Sequence, residues 1–539
     1  MRSKAIPKIS ERYLAGIERQ ADRLPRTRTR HNAPARDAAA VAAMFFEAKH
    51  AKNVPQCFAG RFTFLNRTHD FGGAEKIDWR VDMDGGSYQL WRANLAFMGW
   101  LSPAFDSDPE RALGFAETVI AGFREQARFQ RSSDFADVWN SYPVAQRILT
   151  FSAILIRLPE RYSARSERAT IDAFLRLNVA YLLGNLETEL GFNHLERNLS
   201  ALALYALAAG TVPPAIEAAL HRHFPHVVGE TFGEDGAQLE RSAMYQALCI
   251  QSLRILSALD IWSDAQAALL HRRLTGAEAA LAALTLGDDR PIMMNDAWFD
   301  ETPRTSAVLN GAPTPGFVAL EDAGYVRLAD GDVAMVFDAG PIGPDANPGH
   351  GHADFLSVEL SLGADRLIVD PGTTHYAPDR QRDTERSWHA HNGPTIADGR
   401  PVEYLGSFKV GRRTAATLDG HGENGAGQWA EGSLSFDGAT VRRRVSLSND
   451  CTITLRDSWH GGAGWQSRLL VPDDWQVEAS DTTQIRFIRG DRTVVFSVEG
   501  GSLSLAPASW TCRYNATSAA HAVTLTPAGD SAALIIRTR

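Results

Sequence analysis

The chain has 539 residues, 44% apolar and 22% charged, the balance of a folded globular protein and not of a disordered one. That length exceeds one ordinary hydrophobic core, so two domains are expected. A formal net charge of −9 argues against nucleic acid as the main partner, while a local basic cleft for an acidic glycan remains compatible with it.

The first residues, Met1 to Arg12, carry charge but no apolar run. They read as neither a secretory signal nor a membrane anchor. This places the chain in the cytoplasm, or in the periplasm if the native start lies upstream. Cys57, Cys249, Cys451 and Cys512 are far apart and lack metal-type spacing, so buried free thiols are expected.

From about 85 to 285 the sequence reads as successive helices separated by short polar or Pro/Gly breaks. After Asn193, the residues Leu195, Leu199, Leu202 and Ala206 fall at helical spacing. An Ala-rich helix is predicted over 264–285, ending before Gly287-Asp288-Asp289. Helices without intervening strands must pack on one another, as a bundle or an α/α toroid. Pro303, Gly311, Pro313, Pro315 and Gly316 mark 302–316 as a linker between a helical domain (1–301) and a second domain (317–539). Beyond it the apolar period becomes 2. Val445 and Leu447 precede a turn at Ser448-Asn449-Asp450, and Cys451, Ile453 and Leu455 alternate after it. Val494, Phe496 and Val498 precede Gly500-Gly501, with Leu503 and Leu505 following. Both read as hairpins, and several in succession predict stacked antiparallel sheets.

The stretch from Asn347 to Tyr404 concentrates the chemistry. It holds His350, His352, His375, His389 and His391, and Asp370 ends an apolar run. His and Asp are ordinary zinc ligands, usually three from the protein. In an extended segment His350 and His352 would project from one face, one holding a metal while the other faces a substrate. They could also share one ion, or the loop could bind nothing.

Three words here, Gly349-His350-Gly351-His352-Ala353-Asp354, Val369-Asp370-Pro371-Gly372 and Arg386-Ser387 with His391-Asn392-Gly393, resemble the C-terminal half of the heparinase II/III-like family of polysaccharide lyases. Others precede them in the same order. These are Ile77-Asp78-Trp79, Leu90 to Leu95, Trp139 to Ile148, Asn193-His194-Leu195 and Glu234 to Tyr245. The resemblance covers roughly residues 55 to 410 and implies an incomplete (α/α) toroid followed by an antiparallel β-sandwich.

The family's activity would be β-elimination on a uronic-acid glycan. Such a reaction needs donors for the sugar carboxylate, a base for the C5 proton and an acid for the leaving oxygen. The resemblance assigns Asn193 and His350 as donors and Tyr245 as acid, and as base where stereochemistry allows, with His194 a second candidate base. It assigns zinc, in a structural role, to His352, Asp370 and His391. Tyr142, Arg147, Glu240, Arg241 and Arg386 lie in the matched words as candidate substrate ligands, Arg being suited to bidentate carboxylate contacts. Trp79, Trp91, Trp139 and Trp388 could stack on sugars or pack in the core. Relatives often carry His after the Tyr, where this chain has Gln246, which cannot shuttle a proton at neutral pH.

The expected partner is an acidic oligo- or polysaccharide, with no nucleic acid and no membrane; a homodimer is one of several open oligomeric states. Binding is expected at the domain interface. Rival readings are a non-catalytic acidic-glycan-binding protein, an accessory protein of exopolysaccharide synthesis, and a hydrolase using Asp235 and Glu240.

Overall fold

A computed structural model describes residues 5–83, 89–129, 137–311 and 314–538; Pro313 of the expected linker lies outside them. They form two compact units. The first comprises Met1–Thr231, Leu248–Leu274 and Asp300–Pro303, and the second Phe232–Ala247, Thr275–Phe299 and Arg304–Arg539. A single cut at 302–316 therefore does not separate them. The reason is specific bonding of 232–247 and 275–299 to the β half. Arg241 pairs with Asp338, and Asn295 donates to the Tyr325 hydroxyl and accepts from the His352 amide.

In the first unit the long helices are Ala33–His50, Pro109–Gln126, Ser141–Arg157, Ser166–Leu183 and Phe192–Ala209. Side-chain caps start three of them: Asn32 accepts from the Ala35 amide, Asp108 from Arg111 and Asn140 from Tyr142. Gly210, at φ 65°, closes Phe192–Ala209 in the left-handed conformation that a side chain would disfavour. Ser141–Arg157 and Phe192–Ala209 are buried on nearly every face and pack against each other. Polar residues all round would not survive there, which is why both read as Leu, Ile and Ala.

In the second unit a five-stranded antiparallel meander runs through Val318–Leu320, Tyr325–Asp330, Val333–Asp338, Val358–Leu362 and Asp365–Ile368. An eight-stranded antiparallel sheet follows. Its order is Ala416–Asn424, Gly427–Phe436, Ala439–Ser448, Ile453–His460, Ser531–Thr538, Arg492–Glu499, Gln484–Arg489 and Gln476–Ser480. A four-stranded sheet is ordered Gly501–Arg513, Ala516–Pro527, Trp465–Pro472, Pro394–Ile396. One apolar core joins the sheets, with Phe337, Val358 and Leu367 meeting Val445, Phe487, Phe496, Leu469 and Val523. Alternating burial along Ile453–His460 is the period-2 pattern read from the sequence.

The Ala439–Ser448/Ile453–His460 hairpin forms as expected, although Cys451, at φ 60°, lies in its turn and not in the strand. The other expected hairpin does not form. Arg492–Glu499 pairs in the eight-stranded sheet, and after Gly500, at φ 75°, the chain crosses to pair as Gly501–Arg513 in the four-stranded one. Alternation reports which face of a strand is buried, but not which strand lies beside it.

Candidate active site

Tyr245 lies in the helix Ala243–Ser257 and is buried. Its ring packs on His350 with centroids 4.3 Å apart, and its hydroxyl is 3.4 Å from that of Tyr376. Phe408 and Tyr376 pack on this pair, and Trp298 and Tyr514 pack on Tyr376. Burial pushes the Tyr376 phenol well above its usual range, and the Asp296 and Tyr245 oxygens push it further the same way. Tyr376 is therefore a neutral hydroxyl that can donate toward Tyr245.

His350 and His352 flank Gly351, where a Cβ would collide with the carbonyl of Ile342, so only glycine fits between the two imidazoles. Both rings reach one carboxylate. The Nδ1 of His350 is 2.9 Å from Asp296 Oδ2, and the Nε2 of His352 is 3.0 Å from Asp296 Oδ1. The backbone repeats the attachment: the Asp296 amide donates to the His350 carbonyl, and the His352 amide donates to the Asn295 side chain. Arg382 forms a two-pronged ion pair with Asp296, and Thr373 also donates to it. Burial opposes the Asp296 charge, but Arg382 and the two histidines outweigh it and hold the carboxyl well below its usual range. Nothing in the sequence marks Asp296, Tyr376 or Arg382. They share no motif, and their importance arises from the segments that fold against the histidine loop.

His352, Asp370 and His391 are fully buried, and each offers a ligand atom within 4.8 Å of the others. His352 precedes the strand Val358–Leu362 and Asp370 follows its hairpin partner Asp365–Ile368, so the turn returns both to one end. Asn392 fixes His391 beside them, donating to the carbonyls of Val358 and Val369 and accepting from the Leu470 amide. Nδ1 of His352 and Nε2 of His391 are buried without a hydrogen-bond partner among the described residues. Burial lowers His352 to about 3, leaving a neutral ring with a free lone pair. Burial lowers His391 as well, but Asp370, 2.7 Å from its Nδ1, raises it overall. Two orphaned imidazole nitrogens with a carboxylate fit a divalent metal of the zinc type. His350 stands outside this group, so of the two sequence alternatives the structure favours His352, Asp370 and His391 over a shared His350–His352 ion.

The first unit holds the other candidates. Asn193 is buried in the first turn of Phe192–Ala209, whose N-cap position is Gly191. His194 Nδ1 is 2.9 Å from Glu187 Oε1, and Asn198 clamps Glu187 through its other oxygen and its amide. The His194 ring lies 5.1 Å from Tyr142, whose phenol is raised to about 12 by burial.

The arginines expected on substrate are engaged within the protein. Arg147 donates to Asn178 and to the carbonyls of Ala96 and Val138, beneath the rings of Phe123 and Trp139. Arg241 pairs with Asp338, donates to the Ala323 and Pro341 carbonyls and lies over Tyr325. Arg386 donates to the carbonyls of Gly349, Gly351, Gly406 and Ser407 and so holds the loop that carries His350. Buried carbonyls must be paired, and the planar five-donor fork meets several at once. Sequence position cannot distinguish that use from substrate binding.

Glu240 takes the Gln238 side chain and places Oε1 3.8 Å from His350 Nε2. Asp235 accepts from the Ala237 and Ala323 amides, a turn-forming role that leaves it poorly suited to a hydrolytic pair. Gln246 is buried, accepting from the Gln238 amide and donating to the carbonyls of Gly236 and Ala277. The four tryptophans Trp79, Trp91, Trp139 and Trp388 are all in the core.

Residues 312–538 match the family model described as heparinase II/III-like, C-terminal. Three solved structures extend the likeness over nearly the whole chain. A heparinase III is 14% identical at a TM-score of 0.67, covering 99% of this chain and 91% of its own. The heparinase III BT4657 gene product is 14% identical at 0.61, covering 95% and 85%. A mutant of the heparan sulfate lyase HepC from Pedobacter heparinus is 15% identical at 0.59, covering 98% and 88%. At these identities the likeness is one of fold: an incomplete (α/α) toroid followed by an antiparallel β-sandwich. No curated protein matches the chain. No helix among the described residues is long and apolar enough to cross a membrane.

Proposed function

We propose that this protein is a polysaccharide lyase that cleaves an acidic, uronate-containing glycan by β-elimination. The observation that carries the reading is the Tyr245 phenol packed on the His350 imidazole, 4.3 Å between centroids, within a heparinase II/III-like chain. The relatives named as heparinases and as a heparan sulfate lyase support the same class of chemistry.

In this reading Asn193 and His350 donate to the sugar carboxylate, stabilising the charge that builds when the C5 proton leaves. The C5–H bond breaks, and its proton passes to Tyr245 as phenolate, or to His194 Nε2 where the sugar presents the other face. The electron pair forms the C4–C5 double bond and expels the C4 oxygen, which Tyr245 protonates. Glu187 accepts from His194 Nδ1 and so orients that ring. The Tyr376 hydroxyl, 3.4 Å from that of Tyr245, is placed to share a hydrogen bond with it.

His352, Asp370 and His391 are the residues that would hold zinc, and they lie beside the loop bearing His350. A bound zinc supplies a fixed charge that orders these three ligands; proton transfer belongs to the side chains above.

Incubating the protein with a panel of acidic glycans, sulfated and unsulfated, and weighing the products tests the reading. Elimination gives unsaturated ends that absorb in the ultraviolet. Saturated products one water heavier would instead make it a hydrolase, and no products at all would favour an acidic-glycan-binding role.

A further inference from the structure

The carboxylate of Asp296 touches both chemically important histidines and is wholly buried. Its two oxygens are divided between them. Oδ2 accepts from His350 Nδ1, and Oδ1 accepts from His352 Nε2. A carboxylate only accepts, so each ring must carry its proton on the nitrogen that faces Asp296. This puts a proton on opposite ring nitrogens two residues apart, Nδ1 of His350 and Nε2 of His352, and His350 donates to the sugar from Nε2 when it carries a second proton there. His350 is left with Nε2 as the nitrogen away from the carboxylate, on the side of Glu240. His352 is left with Nδ1, the buried nitrogen that has no partner among the described residues.

The surrounding charges enforce the choice for His352. Arg382 Nη1 lies 3.3 Å from its Nε2, so a cation could not settle on that nitrogen, while Nδ1 is free of such a neighbour. Arg382 grips both oxygens of Asp296, and Thr373 donates to Oδ1 at 3.2 Å, which together keep the carboxylate from rotating away from either ring. The Asp296 amide and Asn295 side chain hold the His350–His352 backbone at the same place, so the carboxylate and the loop move as one piece.

We infer that Asp296 is a positioning residue that couples the metal centre to the catalytic histidine, fixing His352 for the metal through one oxygen and His350 for the substrate through the other. The inference rests on the lyase reading only for the role of His350; the metal side stands on the donor set alone. Occupancy at His352 and alignment at His350 should therefore rise and fall together, because a single buried group sets both.

The experiment uses the full chain carrying Asp296→Asn. An amide can accept through only one atom and turns an N–H toward one ring, and its lost charge loosens the Arg382 clamp that holds it against the other, so both rings are released from their present positions. Zinc affinity, measured by competition with a chromophoric chelator, is expected to fall about 10–100-fold. The kcat for glycan cleavage should fall by a similar factor. Either quantity staying within about two-fold of the unaltered protein overturns the coupling. If the variant does not fold, nitrogen-15 NMR of the unaltered protein's histidines decides the matter. His350 protonated on Nδ1 and His352 on Nε2 supports the inference, and the opposite tautomer at either ring refutes it. If no glycan is cleaved by the unaltered protein, the lyase reading has failed, and zinc affinity with the two tautomers still decides this one.

Discussion

Gln246 stands beside Tyr245 and reads in the sequence as a proton-transfer residue gone missing. Its three hydrogen bonds give it another task, closing the 236–246 loop onto the helix Asp264–Ala283 through the carbonyls of Gly236 and Ala277. Gln246→Ala would leave buried backbone groups unpaired at about 1–3 kcal/mol each. Denaturant melts should show a loss of that order, and a change below about 0.5 kcal/mol would remove the structural role. The same lesson applies to Arg147, Arg241 and Arg386. Their residue type and motif position were legible, but their partners are carbonyls from distant segments, which no local spacing reveals. Asn193, Tyr245, His352, Asp370 and His391 sit in recognisable words, whereas Asp296 sits in none.

Among the elements, the Gly349–His352 loop and the end of the helix Ala33–His50 carry separate consequences. Gly351→Ala would force the loop off the Ile342 carbonyl and shift both histidines, so zinc affinity should fall along with melting temperature. Unchanged zinc binding would mean that the loop tolerates the movement. His50 ends its helix, where a positive charge would be welcomed by the dipole, yet burial keeps it neutral and well below its usual value, with Lys49 adding to the shift. Its folded pKa is lowered, so below about 6.5 the unfolded chain takes up a proton that the folded one does not. Stability should therefore decline by up to about 1.4 kcal/mol per pH unit as pH falls through 6 and 5. His50→Gln should flatten that slope, and an unaltered slope would place the effect elsewhere. Helix positions were readable from their 3.6-residue period, and strands from period 2. The sheet crossing at Gly500 was not, since pairing is decided by partners far along the chain.

For the whole molecule, the change from helices to strands fixes the architecture, and the two-unit division adds what patterning omits: segments 232–247 and 275–299 belong with the sandwich. Tyr245 and His350 consequently lie in the same compact unit although 105 positions apart. The metal reading carries its own check. Purified protein should contain close to one equivalent of zinc, and stripping it should lower the melting temperature, since a ligand that binds only the folded state stabilises it. Less than roughly a tenth of an equivalent after exposure to zinc would count against the site. The most direct measurement for the central claim compares the unaltered protein with Tyr245→Phe on a uronate glycan, following the ultraviolet absorbance of the new C4–C5 double bond. The account predicts a signal from the former, and from the latter a rate lower by about 10²–10⁴ with glycan binding and melting temperature retained. Equal rates from the two proteins would contradict it.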